Sequence, residues 1–231
     1  MALILQIETS TSSCSVALSE DGEVVSFKEV NERNAHASSL TVFMEDVLKE
    51  AGKTSSDLSA VAVSMGPGSY TGLRIGVSAA KGLCYALDIP LIAVNTLKCM
   101  ANGVLPGYLE TEVLLCPMID ARRMEVYTAV FNKQLDELES VEAKIIDNDS
   151  FQDLLSSHKL VFFGDGAFKC RTVLEHNKNA LFVDSFINSA RHMSALVYEK
   201  YVRRQFEDIA YFEPYYLKDF IAGAKTKGTS A

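Results

Sequence analysis

Two glycine-rich turns and two acidic strand ends are the places where residue types and spacing in this chain could do chemistry. Gly66-Pro67-Gly68-Ser69 follows the apolar run Val61-Ala62-Val63 and leads into a helical stretch. Backbone N–H groups at such a turn can cradle a phosphate, helped by the positive end of the helix. The loop has neither GxxxxGK[ST] nor GxGxxG spacing, so turn-making is the simpler role. A second turn, Gly164-Asp165-Gly166, follows the strand-like Leu160–Phe163. Glu8 and Asp120 end the first strand of each half of the chain. Glu8 opens Glu8-Thr9-Ser10-Thr11, which also reads as a plain polar turn between two strands.

Other chemistries find less support. The four histidines (36, 158, 176 and 192) are scattered without ligand spacing, and there is no HExxH. Gly66-Pro67-Gly68-Ser69 does not match the GxSxG elbow of a serine nucleophile, although composition alone leaves Ser/His/Asp and Cys/His arrangements open. Arg122 and Arg123 sit in a turn between two strands. A guanidinium pair there can bind an anion or simply stand as exposed charge. The five cysteines form no CxxC pair and mostly lie in apolar runs, as expected of reduced, buried thiols in a cytoplasmic protein.

The elements that must position these residues follow from periodicity. With 231 residues, 48% hydrophobic and 23% charged, the chain can bury one large core or two smaller ones. A net charge of -8 argues against a surface that binds nucleic acid unaided. No run approaches the roughly 20 apolar residues of a membrane span. The start, MALILQIETS, lacks a basic region, so no signal peptide is expected. Residues 3–8, 14–18 and 24–30 read as a three-strand meander with a hairpin at Asp21-Gly22. Helices at about 35–51, 71–87 and 96–102 alternate with strands at 61–63 and 91–94. Pro106-Gly107 marks a boundary, giving lobes 1–105 and 106–231. The second lobe repeats the order, with strands at 113–119, 125–131, 139–145 and 160–163, and helices at about 151–157, 168–177 and 189–205.

Helices 35–51 and 71–87 are apolar over too much of their circumference. Leu40, Phe43, Met44 and Val47 contribute to an arc of about 140° on the first. Gly72, Leu73, Gly76, Val77, Ala80 and Leu83 belong to an arc of roughly 200° on the second, where an ordinary surface helix needs about 100°. Gly72, Gly76 and Ala80 form a ridge of small residues. Each mid-helix glycine costs about 1 kcal/mol, which implies close backbone approach, either to the chain's own sheet or to a partner helix.

The duplicated order, with Glu8 and Asp120 ending equivalent strands, resembles the actin, sugar-kinase and Hsp70 superfamily. That resemblance implies an α/β fold of two lobes, each a five-stranded mixed sheet flanked by helices. Glu8, Thr9, Ser10, Asp120, Gly164 and Gly166 then mark a vestigial nucleotide site, with Ser10 standing where a glycine would permit the closest phosphate approach. ILQIETSTSSCSVAL, GPGSYTGLRIGVSAAKGL, IPLIAVNTL, IDARRMEVY and EPYYLK, in this order, resemble the TsaB (YeaZ) family of tRNA threonylcarbamoyladenosine proteins. Thr96 and Met100 match the positions of the metal-binding histidines in TsaD-like chains, and neither is a credible ligand for a hard metal. The resemblance implies a cytoplasmic, non-catalytic subunit without a cofactor. It would bind a TsaD-like catalytic chain through the two broad helices, help dock a TsaE-like ATPase and meet tRNA only through the complex. Alone, it would homodimerise. An independent ATP-dependent phosphotransferase of the same fold is the alternative, and a metalloprotease a remote one.

Overall fold

The computed structural model describes residues 1–32, 35–108 and 112–218. In the first half, strands β1 (Leu3–Glu8), β2 (Ser13–Glu20) and β3 (Glu23–Asn31) form the meander. Asp21 and Gly22 turn it with positive φ, and the Asp21 carboxylate accepts from Ala2 N at 2.7 Å. Helix α1 (His36–Glu50), strand β4 (Ala60–Gly66), helix α2 (Tyr70–Leu87), strand β5 (Leu91–Asn95) and helix α3 (Thr96–Val104) follow. Ser69 Oγ accepts from Gly72 N to start α2, and Asn95 Oδ1 accepts from Lys98 N to start α3.

The second half contains β6 (Val113–Asp120), β7 (Glu125–Phe131), β8 (Glu137–Ile145), α4 (Gln152–Ser157), β9 (Lys159–Phe163), α5 (Ala167–Leu174), β10 (Ala180–Phe182) and α6 (Ser194–Val202). No side chain caps the start of α4. Phe151 precedes it in left-handed backbone, and Ser150 bonds to Asp147 instead.

The two five-stranded sheets run β3-β2-β1-β4-β5 and β10-β9-β6-β7-β8. In each, the first strand is antiparallel to the second and parallel to the strand that follows a helix. Both faces of β1 are covered, so all six of its residues are buried, the polar Gln6 and Glu8 included. Leu3, Leu5 and Ile7 pack toward α1 and α2, whereas Ile4 packs with Met193 and Val197 at and near α6.

The division into 1–105 and 106–231 needs correcting for the covering layer. Leu97, Met100 and Val104 of α3 pack on Leu115, Phe131 and Phe163 of the second sheet. Conversely, α6 packs on the first sheet, where Ser194 Oγ donates to the buried Gln6 Oε1 at 2.8 Å. The C-terminal tail also lies against the first sheet's lobe. Phe212 enters its core, Lys81 Nζ donates to Phe212 O at 3.0 Å, and Tyr215 N donates to Met65 O at 2.7 Å. Each sheet is thus closed by a helix from the other half.

Candidate functional site

The turn after β1 is clamped against the start of α2. Ser69 N donates to Ser10 O at 2.6 Å, and Thr9 Oγ1 donates to Gly72 O at 2.8 Å. A Cβ on Gly68 would strike Ser10 O, one on Gly72 would strike Thr9 O, and one on Gly76 would strike Thr9 Oγ1. The glycine-rich loop and the glycine ridge therefore receive the chain's own polar turn. This corrects the partner-facing assignment of the ridge: Gly72, Leu73, Gly76, Val77 and Ala80 are buried within the chain, as are Leu40 and Val47 of α1. Phe43, Met44 and Leu83 are half-buried beside them.

Glu8 is wholly buried. Its Oε1 accepts from Ser10 N at 2.6 Å, while Oε2 has no hydrogen-bond partner among the described residues. Burial raises its pKa above the ordinary 4.5, against the opposing pull of the Ser10 bonds. Asn188 donates from Nδ2 to Ser10 Oγ at 3.1 Å, and its Oδ1 is likewise unpartnered. Beyond them lies a space of about 50 Å³ lined by Thr11, Ser13, Asn31, Met100, Asp165 and Asn188, among others. Pockets that enclose an organic ligand run to roughly 300–1,000 Å³. The fold thus brings the Glu8 turn and the Gly164 turn to opposite sides of one small polar cleft.

Asp120 does not line that cleft. It is exposed; its Oδ1 accepts from Arg122 N at 2.8 Å and pairs with Lys169, and its own N–H donates to Asp165 Oδ1. Gly166 packs so tightly on the Ile119–Asp120 peptide that a Cβ would collide with it. The matching acids therefore occupy different surroundings, one buried with its pKa raised, the other exposed and ion-paired with Lys169.

The raised Glu8 pKa has a defined effect on stability. The folded state holds the proton more tightly than the unfolded chain, so this contribution is present below about pH 4.5 and is lost as pH rises through the folded value. Glu8→Gln should remove that loss. The variant is expected to be more stable than the parent at pH 7, where the buried carboxylate carries a charge that the neutral amide does not, and to gain little at pH 4. Urea midpoints across this range would show it; a destabilised variant at pH 7 would mean that the charged carboxylate is needed.

A different face lies exposed on α1 and α2. Val42 and Gly82 are exposed, with Ala86 one turn beyond Gly82, and half-buried Phe43, Met44, Ile75 and Ala79 lie among or beside them. Ile75, Ala79, Gly82 and Ala86 share one side of α2 at spacings of four, three and four. Among the described residues, nothing lies within 4 Å of where a Gly82 Cβ would stand. The sequence signal for this face was Gly82 itself, which falls off the Gly72–Gly76–Ala80 ridge.

Residues 29–222 match the family described as TsaD: tRNA N6-adenosine threonylcarbamoyltransferase. The chain is 32% identical to the tRNA threonylcarbamoyladenosine biosynthesis protein TsaB of Escherichia coli (strain K12), across 97% of this chain and 98% of that protein. The chain belongs to the TsaB family. YeaZ from Pseudomonas aeruginosa superimposes with a TM-score of 0.82 at 25% identity, covering 94% of this chain and all of that one. The (R)-2-hydroxyglutaryl-CoA dehydratase component A of Acidaminococcus fermentans shares the fold alone, with a TM-score of 0.53 at 11% identity over 87% of this chain and 100% of that one. The architecture is the duplicated actin-like one, two five-stranded mixed sheets flanked by helices.

Against the TsaD side of this TsaB-related group, positions 96 and 100 carry structural work. Thr96 Oγ1 bonds Ser64 Oγ at 2.6 Å and accepts from Gly66 N at 3.1 Å, which ties α3 to the glycine-rich loop. Met100 is buried and its methyl end packs beside Gly164. Among the described residues, no three His, Cys, Asp or Glu side chains gather in a metal-binding group.

Proposed function

We propose that this chain acts in tRNA threonylcarbamoyladenosine biosynthesis as a non-catalytic subunit that binds and supports a TsaD-like catalytic chain. The observation that carries the reading is Gly82, an exposed mid-helix glycine on an apolar face with no neighbour among the described residues to explain it. Glycine there costs about 1 kcal/mol relative to alanine and permits the close crossing of a second helix. Helices α1 and α2 pack side by side, so a like pair from a partner can complete a four-helix contact. The TsaE-like ATPase docks on the resulting pair in this reading, and tRNA is met within the assembly in the cytoplasm. No described helix is long and apolar enough to cross a membrane. The small cleft between Thr11 and Gly164 and the side chains at 96 and 100 favour this subunit role over an independent phosphotransferase or a metalloprotease.

Light scattering after size exclusion tests it, on the chain alone and mixed with the TsaD-like protein of the same genome. A homodimer that converts to a one-to-one complex is expected. A persistent monomer that ignores that protein would overturn the reading, and ATP turnover by the isolated chain would favour the phosphotransferase.

A further inference from the structure

Arg122 and Arg123 are the residues singled out by the sequence that the subunit role does not use. Both lie in the β6–β7 connection with positive φ, 73° and 50°. Left-handed backbone suits Gly, Asn or Asp; it is strained for arginine. Glu125 N donates to Arg122 O, and Ala121 N donates to Glu125 O, both at 3.1 Å, so the turn is closed around these two residues. Strain of this kind tends to mark functional sites.

Two of the three carboxylates nearby are matched by cations, and the third, Asp165, accepts from Asp120 N. Asp120 pairs with Lys169, and Glu125 pairs with Lys218. Among the described residues, neither arginine guanidinium has a carboxylate partner, and both side chains are exposed. The hairpin is therefore a local island of positive charge on a chain of net -8. On the helix that supplies Lys169 to Asp120 and Glu125 O, the preceding residue, Phe168, is 80% exposed. An unpaired guanidinium couple and a bare aromatic ring on the neighbouring helix match a phosphate backbone carrying an unstacked base.

We propose that this hairpin is an RNA contact, with Arg122 and Arg123 on successive phosphates of a tRNA and Phe168 stacked on an unpaired base. The proposal deepens the subunit reading above and rests on it: alone, the acidic chain binds RNA weakly, and the hairpin acts as part of the assembly.

The test uses the complex with the TsaD-like protein, an unmodified tRNA transcript as probe, and fluorescence anisotropy over a salt series. The double variant Arg122→Asn, Arg123→Gly relieves the left-handed strain and removes both charges. Its melting temperature is expected to rise while affinity for the transcript falls about tenfold or more. The slope of log K against log salt should become shallower by about 1.4–1.8, the loss of two phosphate contacts. Arg122→Lys, Arg123→Lys should keep the slope. Phe168→Ser should lower affinity without changing it. Unchanged affinity in a variant that still forms the complex overturns the proposal, as does selective loss of the TsaD-like partner, which would make the hairpin a protein contact. Should the wild-type chain not bind that partner, the earlier reading fails instead. The same slope comparison on the isolated chain at low salt then decides the RNA contact.

Discussion

Alanine at Gly72 is expected to destabilise the chain by about 3 kcal/mol or more, which a urea or thermal melt would register as a large downward shift. The new methyl would occupy the space held by Thr9 O, a backbone atom at the end of β1. Thr9 cannot swing aside. Its side chain bonds to Gly72 O, and the next peptide is held by Ser69 N on Ser10 O. The collision must instead push α2 away from the sheet, opening the core around Ile7, Val77 and Ala80. That core supports most of the first lobe, and a domain's net stability is only about 5–15 kcal/mol. Gly76→Ala meets a side-chain oxygen, Thr9 Oγ1, rather than backbone, so its cost should be smaller. A Gly72→Ala variant with parental stability but no partner binding would restore the ridge as a partner-facing surface.

The same two glycines show where reading the sequence succeeds and where it stops. Their spacing marks close backbone approach, and the approach is real. Spacing carries no information on which neighbour approaches, because a helix with two apolar sides shows one merged arc. Gly72, Gly76 and Ala80 point into the arc's inner half; Ile75, Ala79, Gly82 and Ala86 point into its outer half. The succession of strands along the chain was legible because each alternates or runs apolar over a few residues. The exchange of α3 and α6 between sheets was not, since Met100 meeting Phe163 and Ser194 meeting Gln6 are contacts between distant segments with no local signature. At the candidate site, Glu8 and Asp120 look equivalent as strand-ending acids. Only the fold separates a buried carboxyl without a cation from one paired with Lys169.

Arginine at Gly82 separates binding from folding in the opposite sense to alanine at Gly72. Among the described residues nothing within 4 Å opposes a Cβ there, and replacing a mid-helix glycine should raise stability by up to about 1 kcal/mol. At a helix–helix contact with axes about 8–10 Å apart, the same side chain places bulk and an unpaired charge between the partners. Affinity for the TsaD-like chain is expected to fall at least a hundredfold, about 2.8 kcal/mol, with the isolated homodimer weakened in parallel. Gly82→Ala should give the same gain in stability with a smaller loss of binding, because only a methyl enters the contact. Together the two variants make a size series at one position, read by melts for the fold and by light scattering and titration for the pair. A stable Gly82→Arg chain that binds its partner as the parent does would place the interface on another face. A destabilised one would show that the helix needs glycine here for its own packing. Loss of binding from a more stable fold is the result that only a partner-facing Gly82 predicts.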